Sequence, residues 1–372
     1  MAKKAYIGID GVARKIKKGY IGVDGVARKI KRAYIGIGGV ARPYWSGGKL
    51  EYYGKATDLF IARGDLAATH LGRYALFGGG GNGYKYVETY DTSLVMSRST
   101  SLSVGRTNLA ATHVGNYALF IGGLDSNNTI RDVVEAFDTS LTRTTPVALI
   151  SIKMHLAATH VGNYAIIAGG DTGPPKNVVD AYDGSLTRSN PTELSSLRQN
   201  LAATHVGNYA LFGGGLNSSN AYSGVVDAYD TSLTRTTPTK LGGDRSLFAA
   251  THVGDYALFG GGLMTGYATG LVDAYDKSLT RAYPPLSLNP ARYGLAATTV
   301  GDYALFGGGC GYTINDYSSS VDVYSPALTK TGVDLLSYAR RYLAATYVSD
   351  YALFGGGTGA TVSNAVDVYA LI

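Results

Sequence analysis

The 372-residue sequence predicts an all-β protein, a seven-bladed β-propeller closed by an N-terminal outer strand and preceded by a short β-hairpin arm. Two repeat systems carry this prediction. Seven segments align without a gap on the pattern LAATHVGNYALFGGG, and three units of 14 residues precede them, each with a two-residue turn signal. Neither repeat predicts a helix.

Composition excludes several other classes of protein. Apolar residues make up 45% of the chain and charged residues 16%, which is too apolar for a disordered chain. The 51 glycines follow no collagen period, and a single cysteine, Cys310, excludes a disulfide framework or a cysteine-based zinc site. No stretch reaches the roughly 18 apolar residues of a membrane span. Because MAKKAYIGID lacks an apolar core, we expect no secretory signal.

The first element is a basic arm, residues 1–48. Its units YIGIDGVARKIKK, YIGVDGVARKIKR and YIGIGGVARPYW each place Asp-Gly or Gly-Gly between two alternating segments, which is typical of a type I′ hairpin. Folding the first unit about that turn pairs Ile9 with Val12 and Ile7 with Arg14. Short hairpins are marginal alone, so we expect the arm to associate, with a homo-trimer as the favoured state.

Charge is concentrated in this arm. Residues 1–45 hold eleven Lys or Arg and two Asp, a net charge of +9, whereas the rest of the chain has a net charge of −3. Such an arm could grip nucleic acid, but its basic runs are short and interrupted by apolar residues. A solvated basic face is therefore the favoured interpretation, and nucleic acid is not an expected partner.

The second element fills residues 49–372. Its seven recurring tyrosines are spaced by 43, 47, 45, 47, 47 and 48 residues, the length of a four-stranded blade. In one unit, LAATHV and YALFG predict the first two strands, with Val206 opposite Tyr209 and His205 opposite Ala210. VVDAYD predicts the third strand, Asp230 turns the chain, and LTRTTPTKL, with Pro238, predicts the outer strand.

The two ends of this element predict how the ring closes. The last unit stops at VDVYALI, after its third strand, and KLEYYGKAT at residues 49–57 has the spacing of an outer strand. We therefore expect residues 49–57 to complete the last blade, so that both ends of the propeller lie in one sheet.

Two resemblances to known families follow from these motifs. Phe-Gly-Gly after the second strand and Val-Asp-x-Tyr-Asp in the third resemble the kelch repeat over residues 49–372, although Thr or Ser stands where kelch outer strands usually have tryptophan. The 14-residue units resemble YIG-x-D/N-G-x-A-R-K repeats of phage and prophage virion-associated proteins from Gram-positive hosts. The second resemblance implies attachment to virion structural proteins through residues 1–45 and assembly in the bacterial cytoplasm.

A histidine recurs just before the first turn in five units. The five are His70, His113, His160, His205 and His252, and the last two units have Thr299 and Tyr347. Equivalent positions in a ring of blades point the same way relative to their own blade, so they do not converge on one ion within the roughly 2 Å that a metal needs. We expect packed histidines and no metal site.

An acid and a base recur in every unit. The acids are Glu88, Glu135, Asp180, Asp227, Asp273, Asp322 and Asp367. The bases are Arg63, Arg106, Lys153, Arg198, Arg245, Arg292 and Arg340. Ring symmetry places the bases around one mouth of the channel, where kelch-like propellers that bind acidic ligands have arginines. Either they bind an anionic ligand, or, as we favour, each pairs with the acid of a neighbouring blade.

The loops between second and third strands open on that same face. Their tips carry tyrosines among Asn, Ser and Gly, which is typical of a recognition surface, although ordinary solvated loops have similar residues. The tyrosines are Tyr84, Tyr86, Tyr222, Tyr267, Tyr312 and Tyr317.

No catalytic or cofactor motif stands out: the chain has no G-x-S-x-G, H-E-x-x-H or Walker sequence. We therefore expect a non-enzymatic structural or adhesive component of a phage or prophage particle, without cofactor or membrane insertion. Its arm docks on the virion, and its head recognises a host-surface glycan or protein. The alternatives are a cytoplasmic scaffold that binds an acidic peptide and, third, a glycan lyase or hydrolase.

Overall fold

The computed structural model describes residues 49–371 except 175, 285–286, 314 and 333, together with the backbone of six strands within residues 1–48. The chain forms two compact units, one of Met1–Glu51 with Ala370–Ile372 and one of Tyr52–Tyr369. Among the described residues, no helix has the length and apolar character needed to cross a membrane.

The arm contains three antiparallel hairpins. Their strands are Tyr6–Ile9 with Val12–Lys15, Tyr20–Val23 with Val26–Lys29, and Arg32–Ile37 with Val40–Ser46. In the first hairpin Ile9 pairs with Val12 and Ile7 with Arg14, so the predicted register is confirmed. The predicted turn Asp10-Gly11 and the predicted apolar faces of the arm lie outside the described residues.

Seven four-stranded antiparallel sheets follow, numbered here as blades 1 to 7 in the order of their first strands. The first strands are Ala67–Leu71, Ala110–Val114, Ala157–Val161, Ala202–Val206, Ala249–Val253, Ala296–Val300 and Ala344–Val348. The second strands are Tyr74–Gly78, Tyr117–Ile121, Tyr164–Ala168, Tyr209–Gly213, Tyr256–Gly260, Tyr303–Gly307 and Tyr351–Gly355. The third strands are Val87–Asp91, Val134–Phe137, Val179–Asp183, Val226–Asp230, Val272–Asp276, Val321–Tyr324 and Val366–Leu371.

The outer strands complete the blades. They are Met96–Arg98, Arg143–Thr144, Arg188–Ser189, Arg235–Thr236, Arg281–Ala282, Lys330–Gly332 and, in blade 7, Leu50–Lys55. Two short pairs lie outside the blades: Arg106–Thr107 with Leu124–Asp125, and Leu263–Met264 with Tyr267–Ala268. The strand from residues 49–57 therefore closes the last blade, as the sequence predicts.

The blades form a closed ring, because the first strand of each blade contacts those of its two neighbours and blade 7 contacts blade 1. The protein is thus a seven-bladed β-propeller. Within blade 4, Val206 pairs with Tyr209 and His205 with Ala210, which confirms the predicted turn.

The outer strands are shorter than the sequence predicts. In blade 4 only Arg235–Thr236 pairs with the third strand, and Pro238 lies beyond it. Proline has no backbone N–H to donate and disfavours ladder geometry around it, so the strand ends before it. The preceding turn is as expected: Asp230 Oδ1 accepts from the N–H groups of Ser232 and Thr234 at 2.8 and 2.9 Å.

The apolar core lies between successive blades. One cluster joins Leu211 of blade 4 to Phe259 of blade 5, and both side chains are fully buried. Second-strand aromatic rings cover glycines of the preceding blade: a Cβ on Gly213 would lie 3.0 Å from the ring of Phe259. The sheets therefore approach closely because one blade presents a glycine to the aromatic side chain of the next.

Candidate functional site

Antiparallel topology defines two faces of the propeller. The first strand runs from one face to the other, so the second-to-third loops and the outer-to-first connections lie on the face where the first strand starts. We call this the loop face. Most of the exposed large apolar side chains of the described residues belong to these loops and connections. They include Phe60, Ile152, Leu197, Tyr267, Tyr312, Tyr338 and Val362.

The seven recurring bases lie beneath this face, and all are fully buried. Each forms an ion pair with the recurring acid of its own repeat. The pairs are Arg63–Glu88, Arg106–Glu135, Lys153–Asp180, Arg198–Asp227, Arg245–Asp273, Arg292–Asp322 and Arg340–Asp367. In five of them the N···O distance is 2.6–2.9 Å. Burial lowers the pKa of Lys153, and its partner Asp180 acts in the opposite direction.

The bases form ion pairs with the recurring acids, as in the favoured interpretation, but the structure differs from the two sequence-based alternatives in one respect each. The bases do not form a solvated basic mouth, because none of the seven has an exposed side chain. The paired acid belongs to the same repeat, whereas we expected the acid of a neighbouring blade. The acids also tether the incoming connection: Asp227 accepts from the backbone N–H of Ser195 at 3.1 Å. Since the base and the acid flank one connection, the pair fixes that connection to the blade it enters.

The recurring glycine pair joins neighbouring blades. In blade 4 the N–H of Gly215 donates to the carbonyl oxygen of Arg245 at 2.9 Å. Gly214 has φ +61°, and a Cβ there would lie 2.7 Å from the same oxygen. Both glycines are therefore required by backbone conformation and by close approach, which confirms their predicted structural role.

Seven residues at the starts of the first strands form a closed ring, here called the axial mouth. They are Asp65, Asn108, His155, Asn200, Leu247, Gly294 and Tyr342. Each backbone N–H donates to the carbonyl of the equivalent residue in the preceding blade at 2.7–3.3 Å, and Asp65 donates to Tyr342 to complete the cycle. All seven have φ between +52° and +64°. The backbone alone holds this ring, so its side chains are free to differ.

The axial mouth encloses a cavity of about 210 Å³. Asp65, Asn108, His155 and Asn200 contribute polar side chains from four consecutive blades, and Leu247 lines an apolar part of the wall. Burial raises the pKa of Asp65, whereas nearby His155 and Arg341 lower it. None of these residues was predicted from the sequence to be a site residue. The only signal for them was Asp, Asn and Gly at four of the seven positions, since these residues tolerate positive φ.

Tyrosines surround one cation at the rim of the mouth. The Arg341 guanidinium lies 4.8 Å from the ring centroid of Tyr342, 5.7 Å from that of Tyr293 and 5.8 Å from that of Tyr317. Arg341 Nη1 also donates to the Tyr293 hydroxyl at 2.6 Å. Tyr317, one of the predicted loop residues, therefore lies near the axial mouth.

The other predicted tyrosines occupy separate places on the loop face. The ring centroids of Tyr84 and Tyr86 lie 6.2 Å apart in blade 1, where Tyr86 packs against Phe60. Tyr222 and Tyr267 line a cleft of about 530 Å³ between blades 4 and 5. Tyr312 is exposed. The structure therefore does not gather the six tyrosines into one site.

The recurring histidines form a layer near the far end of the first strands. The histidine layer comprises His70, His113, His160, His205 and His252, with neighbouring ring centroids 4.1–4.3 Å apart. Tyr347 continues it, with its hydroxyl 2.7 Å from His70 Nε2. Burial lowers the pKa of His113 to about 4, and burial together with other histidines of the layer lowers that of His70 to about 3.

In the described part of the chain, no group of three or more His, Cys, Asp or Glu is arranged to hold a metal ion. Fold and site together define a seven-bladed β-propeller with a polar axial cavity and an aromatic loop face. No protein-family model matches the chain, and no curated protein matches it.

Proposed function

We propose that this protein is a non-enzymatic adhesive component of a phage or prophage particle. Its propeller recognises a glycan or protein on the host surface through the loop face, and its arm docks on the virion. One observation carries the binding role: the loop face combines the polar cavity of the axial mouth with exposed apolar and aromatic side chains. Rigid aromatic rings beside small polar groups are typical of recognition surfaces.

The buried position of the recurring acids and bases supports a binding role over a catalytic one. Acid–base chemistry needs groups within reach of a substrate. The repeated acids and bases are the most numerous candidates, but they are buried in ion pairs that hold connections to blades. The loop face offers the hydrogen-bonding groups of the axial mouth and exposed aromatic rings, which serve recognition.

The kelch assignment and the phage assignment rest on sequence resemblance. The glycine pair and the Val-Asp-x-Tyr-Asp strand carry the first, and the 14-residue units of the arm carry the second. The rival function, a scaffold that binds an acidic peptide, depended on the seven bases. Their burial leaves it with little support, because none of the seven has an exposed side chain with which to bind a peptide.

Binding to arrayed glycans and to cell walls from a panel of Gram-positive bacteria tests this proposal. We expect the full chain to be retained, with no sugar product released. Replacing exposed Tyr267 and Tyr312 with serine should weaken retention, whereas Asn163→Ser, in a turn on the opposite face, should not. Release of sugar fragments would favour the glycan lyase or hydrolase, and absence of retention would refute the adhesive function.

The role of the arm is tested separately. We expect light scattering to find an oligomer, with a trimer favoured, that becomes monomeric when residues 1–45 are removed. Short hairpins bury little surface alone, so association provides the partner surface they need. A monomeric full chain would leave the arm only its proposed contact with virion proteins.

A further inference from the structure

The axial mouth presents polar groups that the protein itself does not satisfy. Among the described residues, the Asp65 carboxylate, the Asn108 and Asn200 amides and the Tyr342 hydroxyl have no hydrogen-bond partner, although all line the cavity. His155 Nδ1 is hydrogen-bonded to Asp171 Oδ2 at 2.9 Å, which leaves Nε2 available to a ligand. Polar groups in a concave site are normally hydrogen-bonded to protein, water or ligand.

The backbones that carry these groups are fixed before any ligand arrives. They belong to the closed cycle of hydrogen bonds, so the positions from which the side chains project are set by the ring. A preorganised site loses less conformational entropy on binding. The cavity has a polar arc from Asp65 to Asn200, and Leu247 follows Asn200 in the ring as an apolar part of the wall.

This combination suits one chemical class. A carboxylate accepts two hydrogen bonds, each amide both donates and accepts, and a phenol does the same. A pyranose offers adjacent hydroxyl groups on its edge and apolar C–H groups on its face. The edge fits the polar arc, and the face fits Leu247 and the Tyr342 ring. An acidic sugar is disfavoured, because its carboxylate would meet that of Asp65.

We propose that the axial mouth binds the terminal pyranose of an uncharged glycan, with the Asp65 carboxylate accepting hydrogen bonds from two neighbouring hydroxyl groups. This inference rests on the proposed adhesive function and names the ligand class of its central site. That ligand class differs from the anionic ligand that was the alternative role of the recurring bases. Asn108 and Asn200 flank the same sugar edge, and the Tyr342 ring packs on the sugar face.

The test uses the full chain and small probes. Saturation-transfer NMR and calorimetric titration would measure binding of the methyl glycosides of glucose, galactose and mannose, with methyl glucuronide as the acidic counterpart of the glucoside. We expect at least one neutral glycoside to bind, and the glucuronide to bind at least tenfold more weakly than the glucoside.

Variants taken from the other blades keep the backbone conformation. Asp65→Asn places the residue found in blades 2 and 4, and Tyr342→Leu places that of blade 5, each at the same positive φ. Both should weaken binding at least tenfold with little change in melting temperature. Asp302→Asn is the control, because this exposed carboxylate lies in a turn on the opposite face, where Asn208 stands in blade 4.

Three outcomes would overturn the inference: no neutral glycoside binds, the glucuronide binds more tightly than the glucoside, or Asp65→Asn and Tyr342→Leu bind like the unaltered protein. Each is separable from failure of the adhesive function. If arrays or cell walls still retain the protein, the loop face binds elsewhere and only this inference fails. If nothing retains it, both fail.

Discussion

At the scale of single residues, each repeat buries one ion pair at the connection that enters its blade. Breaking that pair should lower the free energy of unfolding. Arg198 Nη2 contacts Asp227 Oδ2, and Nη1 donates to the carbonyl oxygens of Gly214 and Val225 at 2.9 and 2.8 Å. Removing one partner of a buried pair leaves an unpaired charge that the interior does not solvate. Replacing only one member of the pair should therefore destabilise the folded protein strongly.

Arg198→Met should lower the free energy of unfolding by about 3–5 kcal/mol, because Asp227 would remain buried without its cation. Arg198→Lys should cost less, since Lys153 forms the same pair in blade 3 at 2.8 Å. The control is Arg235→Met, because Arg235 is partly exposed and lies 3.8 Å from Asp227. Urea unfolding measures all three, and equal stability of the Met variant at position 198 and the control would contradict the structural role.

The glycine pair gives a second prediction at this scale. Gly214→Ala should destabilise the protein by about 1–3 kcal/mol from backbone conformation alone, and by more because the added Cβ meets the Arg245 carbonyl. Gly184→Ala is the matched control: no atom lies within 4 Å of its Cβ position, and its φ is not positive. Thermal unfolding of the two variants is the measurement. If both melt alike, close approach does not constrain position 214.

At the scale of elements, the closing strand Leu50–Lys55 joins the two ends of the propeller. Tyr52 donates its hydroxyl hydrogen to Asp367 at 2.7 Å, and its ring lies 5.3 Å from that of Tyr369. Burial, together with the hydrogen bond to Asp367, raises the pKa of Tyr52 to about 12. Because Asp367 also pairs with Arg340, the closing strand is connected to the buried ion pair of blade 7.

Deletion of residues 1–57 should therefore lower the melting temperature strongly or cause aggregation, since it exposes the edge of Val366–Leu371. Deletion of residues 1–45 should leave the propeller folded, because this cut spares the closing strand. Calorimetry with light scattering compares the two truncations. Identical melting of both and of the full chain would show that the closing strand is not needed for ring stability.

At the scale of the whole molecule, the ring places five histidines from five blades in one layer. Burial lowers the pKa of His160 to about 2 and of His205 to about 3, with contributions from neighbouring histidines. An unfolded histidine has a pKa of about 6.5. The unfolded state therefore binds more protons than the folded state at all pH values between these limits.

Stability should consequently be constant above about pH 7 and fall as the pH drops below about 6.5, by at most about 1.4 kcal/mol per pH unit for each histidine. His160→Thr, which introduces the residue that blade 6 carries as Thr299, should reduce the slope of melting temperature against pH between about pH 6 and 4. The slope separates this effect from a loss of packing, which would lower the melting temperature at every pH. An unchanged slope would exclude His160 from the acid response.

Local patterns in the sequence were sufficient to predict the strands of the blades and their pairing. The alternation of LAATHV and YALFG, the Gly-Asn turn and the missing last outer strand predicted the register of Val206 with Tyr209 and the closure by residues 49–57. These features depend on hydrogen bonds between segments close in sequence, or on counting strands. The cause of the register can therefore be recognised in a single repeat, and the closure by comparing the two ends of the repeated region.

Only the tertiary structure decided which recurring side chains reach solvent. Arg198 recurs in the register of a channel mouth, but it is buried against Gly214 and Asp227 of its own blade. Asp65 and Tyr342 reach the axis because seven strand starts meet there. The partners that bury Arg198 lie 16 to 29 residues away along the chain, and the residues that form the axial mouth lie a whole repeat apart. A periodic sequence specifies that equivalent residues share an environment, and contacts between segments distant in sequence, both within a blade and between blades, determine what that environment is.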